Sequence, residues 1–403
     1  MAQALTVSAT LIPVGFNRLD AVVQLVSVMA TASAVIPGLS LAIASRLPVI
    51  SGGKRARSVV AGSLMLLGVA AAIGAVIGLL VPPARAFCFA TAILVLAQGS
   101  YTVSSAIATR DYDYARLMWM RLTYGIAVVA GTVGACVANL TPYEFVIAPV
   151  IASFLAAWLG VWGRARVYPG IRQDLAPANM WRQFTGSRSL TFSQILSGYS
   201  GQVGAIVSAA LGPYAAPWAV AVRFTAGFQT VATQIIAPTV DIDVARSVRE
   251  PSEGALSRAV RRGSVVGAIL ASVSAPIVVG LALLLAGEGI RQGNVLPLLF
   301  GIVGYQVFSV WLLPSERVMG LLGGQRMRLR WDALRALTLL PVLFIDSDSV
   351  KVIWLGGVGL TFYTAYMALC RRLAGGVKGG RHRASGRRRQ VVRRPPSRAA
   401  ARA

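Results

Sequence analysis

Histidine is almost absent from this sequence. The one histidine, His382, lies in the C-terminal tail, so neither a histidine-based catalytic centre nor a histidine metal cluster can sit in the apolar part of the chain. Cysteine is scarce too: Cys88, Cys136 and Cys370 share no motif spacing and fall in or beside apolar stretches, where they act as small hydrophobes. Acidic residues number only 14, and none is read near the centre of an apolar stretch. Asp20, Glu144, Asp241, Asp243, Asp346 and Asp348 mark the ends of stretches and the others fall in loops. That counts against a proton or sodium relay, which needs a buried acid. A phosphate loop is missing as well. Residues 51–57 read SGGKRAR, but Pro48 stands where the first glycine is needed, and no Ser or Thr follows Lys54. Asn139, Leu140 and Thr141 spell a glycosylation sequon in a turn too short to leave a membrane surface, so chance explains it.

What is present is apolar. The 403 residues are 56% hydrophobic and 13% charged, with mean hydropathy +0.66, more apolar surface than a soluble core can hide. Apolar stretches recur at 3–17, 21–44, 58–80, 86–108, 120–139, 144–162, 190–211, 216–240, 264–286, 295–314, 329–345 and 351–370. Most reach the roughly 20 residues that carry a helix across about 30 Å of hydrocarbon. The expectation is an all-α integral membrane protein of about 12 transmembrane helices. The first and eleventh stretches are the shortest, and the eleventh carries Arg330, Asp332 and Arg335 at its entrance. A signal peptide is a poor reading of the first, which has no basic n-region and no Ala-x-Ala-like site before Arg18. A shortened first helix, or a start codon upstream, fits better.

Of the 39 Lys and Arg residues, 34 fall in every second gap between stretches or in the tail. Only Arg18, Arg85, Arg291 and Lys351 occupy the opposite gaps, and Arg223 lies inside a stretch. By the positive-inside rule both termini are cytoplasmic and the number of crossings is even. The eight tryptophans, Trp119 to Trp354, fall near stretch boundaries or in adjoining loops, as ring systems that prefer the headgroup level should. The net charge of +25 is then accounted for by loops facing anionic lipid. The tail, 373–403, is rich in Arg, Gly and Pro without apolar periodicity, and reads as disordered. Each of its basic residues contributes about 1 kcal/mol near an anionic leaflet, so anionic lipids are its expected partner, with a partner protein as the alternative. Arginine outnumbers lysine 36 to three, which hints at a GC-rich bacterial genome and hence a bacterial cytoplasmic membrane.

Arg223 lies about seven residues into the eighth stretch, roughly 10 Å along a helix. A guanidinium near mid-bilayer costs about 2.5 to 3.5 kcal/mol on insertion scales, so it either faces water, a carboxylate or an anionic ligand, or snorkels to the outer headgroups. Arg223, Gly227, Thr230 and Gln234 follow at helical spacing and share one face. Gln194, Gly198, Gly201 and Gln202 run along a face of the seventh stretch, and Gln24, Ser27, Thr31 and Ala34 along the second. Such faces line a hydrophilic cavity or pack closely against other helices through small residues. The glycines suit packing. The glutamines and Arg223 suit a cavity.

The halves of the chain also correspond. Pro37 lies nine residues before Arg46 in the second stretch, and Pro238 eight before Arg246 in the eighth. Six helices followed by six, both halves entering and leaving on the same side, indicate a parallel repeat about an axis along the membrane normal. The divisions expected are an N-terminal lobe over 1–172, a C-terminal lobe over 173–372 and the tail.

Three segments carry a resemblance to a known family. Residues 210–224, ALGPYAAPWAVAVRF, resemble the segment that opens the second half of the oligosaccharidyl-lipid (polysaccharide) flippases. These belong to the multidrug, oligosaccharidyl-lipid and polysaccharide exporter superfamily. Residues 316–335, ERVMGLLGGQRMRLRWDALR, resemble the stretch before their eleventh helix, and residues 110–121, RDYDYARLMWMR, sit at the comparable loop of the first half. With the twelve-helix pattern the resemblance reaches to about residue 372. The chain departs from the pattern at Asn17 to Asp20 and in the tail, which leaves no family role for Arg18.

The resemblance implies a flippase that moves a polyprenyl-pyrophosphate-linked oligosaccharide to the outer leaflet by alternating access, for cell-surface polysaccharide synthesis, without a cofactor. A glycan polymerase is a possible assembly partner under that reading, and nucleic acid is not. A sugar headgroup and a diphosphate cannot cross hydrocarbon unaided, because each hydroxyl and charge would lose its solvation. In a cleft, Arg223 would pair the diphosphate while Gln234, Thr230, Gln194, Gln202 and Gln24 touch sugar or water. Three other functions stay open: a cation-coupled multidrug or small-molecule antiporter of the same superfamily, a membrane scaffold for glycan-assembly proteins, and a multispan enzyme. The antiporter should show an intramembrane acid, the scaffold should work through its tail alone, and the enzyme should have a long external loop.

Overall fold

The computed structural model describes residues 12–47, 53–161, 174–231, 255–286, 295–312 and 318–384, with the single positions 9, 50 and 290. Each apolar stretch is met by a helix: α1 Ile12–Gly15, α2 Leu19–Leu39, α3 Gly53–Leu80, α4 Arg85–Arg110, α5 Tyr114–Val137 and α6 Ile147–Val161 in the first half. The second half holds α7 Pro177–Ile206, α8 Ala215–Val231, α9 Ala255–Leu285, α10 Leu296–Leu312, α11 Val318–Leu339 and α12 Asp348–Ala384. The protein is an all-α, multi-pass membrane protein of about twelve helices, and no strand occurs among the described residues.

Seven of these helices are long and apolar enough to cross a membrane by themselves. Their surroundings differ. Only 17% of the most apolar window of α3, and of α9, is buried inside the protein, against 67% for α2. The outer faces of α3 and α9 expose Ile73, Val76 and Leu80, and Ile269, Val273 and Leu284, an apolar belt that only lipid can cover. Helix α2 is central.

Helices α7 and α11 are long enough to cross but too polar to be recognised by hydropathy alone. Helix α7 meets the α8 segment at 114°, turning at Gly212, whose φ of +51° suits glycine. Its 30 residues span about 45 Å at 1.5 Å per residue, enough to cross a bilayer without α8. The eleventh helix starts earlier than the apolar stretch at 329–345 suggested. Helix α12 continues to Ala384, so the first part of the segment read as a disordered tail is helical. Residues 385–403 lie outside the described ones, as do Pro238 and Arg246 of the proposed repeat.

Apolar packing falls into two sets. Leu25, Val28, Ile36, Val59, Leu94, Val103 and Val150 form the core of the first half, and Leu211, Trp218, Val278, Leu298, Ile302 and Val352 that of the second. A third cluster bridges them: Val22, Val23, Val26 and Ala30 of α2 meet Ala205, Ala219 and Val220. There the Ser27 hydroxyl donates to the Ile206 carbonyl at 2.6 Å. This seal lies toward the end of the bundle where Arg18 donates to Asn139 Oδ1 at 2.7 Å and to the Leu140 carbonyl at 2.6 Å. At the arginine-rich end a polar knot ties α3 to the start of α7. Arg57 pairs with Asp174, the Ser58 hydroxyl lies 2.5 Å from Asn179 Oδ1, and Asn179 Nδ2 donates to the carbonyls of Ser58 and Asp174 at 3.0 and 2.9 Å.

Candidate functional site

Helix α7 lies along α2, and close approach decides which faces meet. A side chain at Gly198 would sit 2.1 Å from the Ala34 carbonyl oxygen, and one at Gly38 within 2.8 Å of the Thr191 carbonyl oxygen. The face of α2 that carries Gln24, Ser27, Thr31 and Ala34, expected to line a cavity, packs through Ser27, Thr31 and Ala34 and is not in the lining of the two cavities described below. Ser27 bonds Ile206, Thr31 bonds back to the Ser27 carbonyl at 2.9 Å, and Ala34 meets Gly198. Small and hydroxylated residues are what close membrane helices use, since each hydroxyl finds a carbonyl. Gln24 is correspondingly placed away from the cavities described below, with Oε1 buried and without a hydrogen-bond partner.

The adjacent face of α2 does line space. A cavity of about 110 Å³ lies among Met29, Ser33, Gln202, Arg223, Gln229 and Gln306. A second, of about 310 Å³, continues from it, sharing Ser33, Gly201, Gln202 and Gln229, and reaches Gln194, Arg328, Trp331, Asp332, Arg335, Tyr363 and Tyr366. The structure thus brings together Arg223, Gln194 and Gln202 of the expected set. Helix α8 carries Thr230, whose side chain is outside the description, and Gln234 lies outside the described residues.

Arg223 faces the cavity and does not reach for headgroups. One Nη donates to the Met29 sulfur at 3.0 Å, and Nε is buried without a hydrogen-bond partner. A thioether is a weak acceptor, so this cation is poorly compensated by the protein. No carboxylate pairs with it among the described residues.

The second half of the cavity was missed. Asp332 is 7% exposed, 3.8 Å from Arg328, and stands fourteen residues into α11. No carboxylate was expected near the centre of an apolar stretch, and Asp332 was read at the entrance of the eleventh; because α11 begins before that stretch, Asp332 stands well inside the helix and in the cavity lining. Arg335 donates to the Tyr363 hydroxyl at 2.6 Å, its guanidinium 4.8 Å from that ring's centre. Arg328, Asp332 and Arg335 sit at i, i+4 and i+7, the same one-face spacing that singled out Arg223. That signal was available in the sequence.

Helix α10 contributes through a widened π turn at Ile302–Val307, a feature frequent at functional sites. It presents Tyr305 and Gln306 to the cavity. Tyr305 is fixed there by donating to the Ser200 carbonyl at 3.2 Å and accepting from the Gly204 amide at 3.3 Å. Ser309 receives a hydrogen bond from Gln229 at 2.8 Å, which joins α8 to α10 beside the cavity.

The described residues hold no group of three or more His, Cys, Asp or Glu side chains suited to a metal ion. What the lining offers is fixed guanidinium, amide and aromatic groups in a water-accessible space between two halves of a membrane protein. Together with the seal on one side, this can hold a polar, anionic solute inside the membrane.

No family model matches the chain, and neither does any curated protein. Its fold is similar to that of a solved structure described as the inward-facing conformation of a multidrug resistance MATE family transporter of the MOP superfamily. The TM-score is 0.58 at 14% identity, over 94% of this chain and 96% of that one. A MOP superfamily transporter from Pyrococcus furiosus Vc1 (DSM3638), described as having a binding pocket of reverse polarity, aligns over 93% of this chain and 95% of its own, with a TM-score of 0.45 and 12% identity.

Proposed function

We propose that this protein is a membrane transporter that flips a polyprenyl-pyrophosphate-linked oligosaccharide across a bacterial cytoplasmic membrane, its two six-helix lobes rocking about the cavity. The observation that supports this reading is Arg223, a guanidinium in the cavity wall that hydrogen-bonds a thioether and keeps a buried Nε without a hydrogen-bond partner. A ligand diphosphate would give it the charge-assisted, two-pronged partner it lacks. The polyprenyl tail would remain in the bilayer while the cavity shelters the headgroup, which removes the desolvation barrier.

The test is mass analysis of lipid-linked oligosaccharides in cells that carry only Arg223→Ala protein. Loss of hydrogen bonds to a charged group, about 1.5 to 3 kcal/mol, should slow translocation roughly 10- to 150-fold, and the lipid should accumulate on the cytoplasmic leaflet. Normal glycan export with that variant at wild-type abundance would refute the assignment.

A second reading is a cation-coupled antiporter, favoured by Asp332, a buried acid in the cavity. It predicts that Asp332→Asn abolishes proton- or sodium-driven efflux of organic cations, with no lipid-linked oligosaccharide accumulating. Against it stands the balance of charge: Arg223, Arg328 and Arg335 outnumber the single acid in the lining, which disfavours cationic cargo.

A further inference from the structure

The two ends of the cavity are chemically different. The end at Arg223 offers a guanidinium beside Met29 and Ala30, with little aromatic surface except Tyr305. The other end has aromatic rings set beside planar polar groups. Trp331 stands edge-on to Phe362 and Tyr366, centroids 5.3 and 5.7 Å apart, which fixes its indole in place. Beside it, on the same helix, Asp332 is held near Arg328 at 3.8 Å, and Arg335 is held against Tyr363. Gln194 and Gln202 complete this wall from α7.

We infer that this larger end is a saccharide compartment, in which Trp331 and Tyr366 present aromatic surface to a sugar ring while Asp332 and Arg335 bond its hydroxyls. Sugars have an apolar C–H face and a rim of hydroxyls that both donate and accept. A site for them therefore combines an aromatic surface with planar groups that can take adjacent hydroxyls in pairs. Carboxylate accepts, guanidinium donates, and amide does both. Asp332 and Arg335 supply the first two within one helical turn, and Gln194 and Gln202 the third. A compartment built for a simple anion has no use for Asp332, which would repel it. One built for an apolar drug would leave these polar groups unpaired on binding.

The assignment rests on the flippase reading and adds a direction to it. In this conformation the diphosphate sits at Arg223, near the seal of Val22, Val26 and Ala219, and the glycan extends away from the seal toward the arginine-rich end. The lipid's sugar thus lies at the end away from the seal, and is the part farthest from the exit when the cleft reopens on the opposite side.

The test uses full-length protein in lipid nanodiscs and two probes: a bare polyprenyl pyrophosphate, and the same lipid carrying one N-acetylhexosamine. Wild-type protein should bind the glycosylated probe about tenfold tighter than the bare one, the gain from one stacked, doubly bonded ring. Asp332→Asn and Trp331→Leu should bring that ratio close to one. Trp331→Phe, which keeps the packing on Phe362 and Tyr366, should restore most of the ratio and reports on folding. A wild-type ratio of one overturns the saccharide compartment while the diphosphate reading stands. A ratio that survives in Asp332→Asn and Trp331→Leu overturns it also. Failure of wild-type protein to bind either probe overturns both readings.

Discussion

Arg223 on α8 donates to the sulfur of Met29 on α2 at 3.0 Å, so the one charged residue placed inside an apolar stretch spans the boundary between the halves of the bundle. Each half contributes one partner to a weak bond. A diphosphate that captured the guanidinium would loosen this contact, and ligand occupancy would be coupled to the fit between α2 and α8.

Met29 can be used to test that coupling by charge. Met29→Glu supplies a carboxylate where a thioether now sits; it should stabilise the contact between halves and compete with an anionic ligand. The expected result is a fall in ligand affinity of at least about tenfold, with unchanged or raised thermal stability in detergent. Met29→Leu conserves volume, so its stability should change by less than about 1.5 kcal/mol while ligand binding is preserved or improved. Equal affinity in the Glu and Leu variants would refute the coupling.

Two glycines one helical turn apart on α7 should respond oppositely. Gly198→Ala places a methyl group 2.1 Å from the Ala34 carbonyl oxygen and forces α2 and α7 apart, at a cost of about 1 to 3 kcal/mol read as a lowered unfolding temperature. Gly201→Ala meets nothing within 4 Å and should stabilise α7 by about 0.5 to 1 kcal/mol. Similar melting of the two variants would mean that α2 and α7 do not pack in this way.

Asn179 is the hub of the knot that joins α3 to α7. Replacing it by Ala removes the acceptor of the Ser58 hydroxyl, which keeps the bond it accepts from Gln183, and the amide donor to two carbonyls, and should lower stability by about 1 to 3 kcal/mol in equilibrium unfolding. Ser58→Ala removes one member and should cost less. The double variant should fall short of the sum, because both changes break one network.

The seal between the halves predicts a change in access. Ser27→Ala removes the bond to the Ile206 carbonyl, worth about 1 kcal/mol, and should favour opening at that end. A cysteine introduced at Ala30, in the same cluster, should then react faster with a membrane-impermeant thiol reagent added outside than it does with Ser27 present. An unchanged labelling rate would mean that this contact is not part of a gate.

Much of this protein follows from its sequence alone. Apolar stretches of span length, with basic residues in alternate gaps, require a helical membrane protein, because a backbone in hydrocarbon must satisfy its own hydrogen bonds. Arg223 stood out for an equally local reason: a guanidinium among apolar neighbours needs a partner. Tertiary structure decided which helix faces meet. The face of α2 with Gln24, Ser27 and Thr31 turned to α7, while the neighbouring face with Met29 and Ser33 lines the cavity. Helical periodicity defines such faces without saying whether water or another helix lies opposite. Asp332 shows the converse, since hydropathy passes over a helix that lines a polar cavity, and α11 contributes Arg328, Asp332 and Arg335 to one. Arg223 and the one-face spacing of Arg328, Asp332 and Arg335 were therefore visible in the sequence, and their shared cavity was decided only once α7, α11 and α12 were packed around one space.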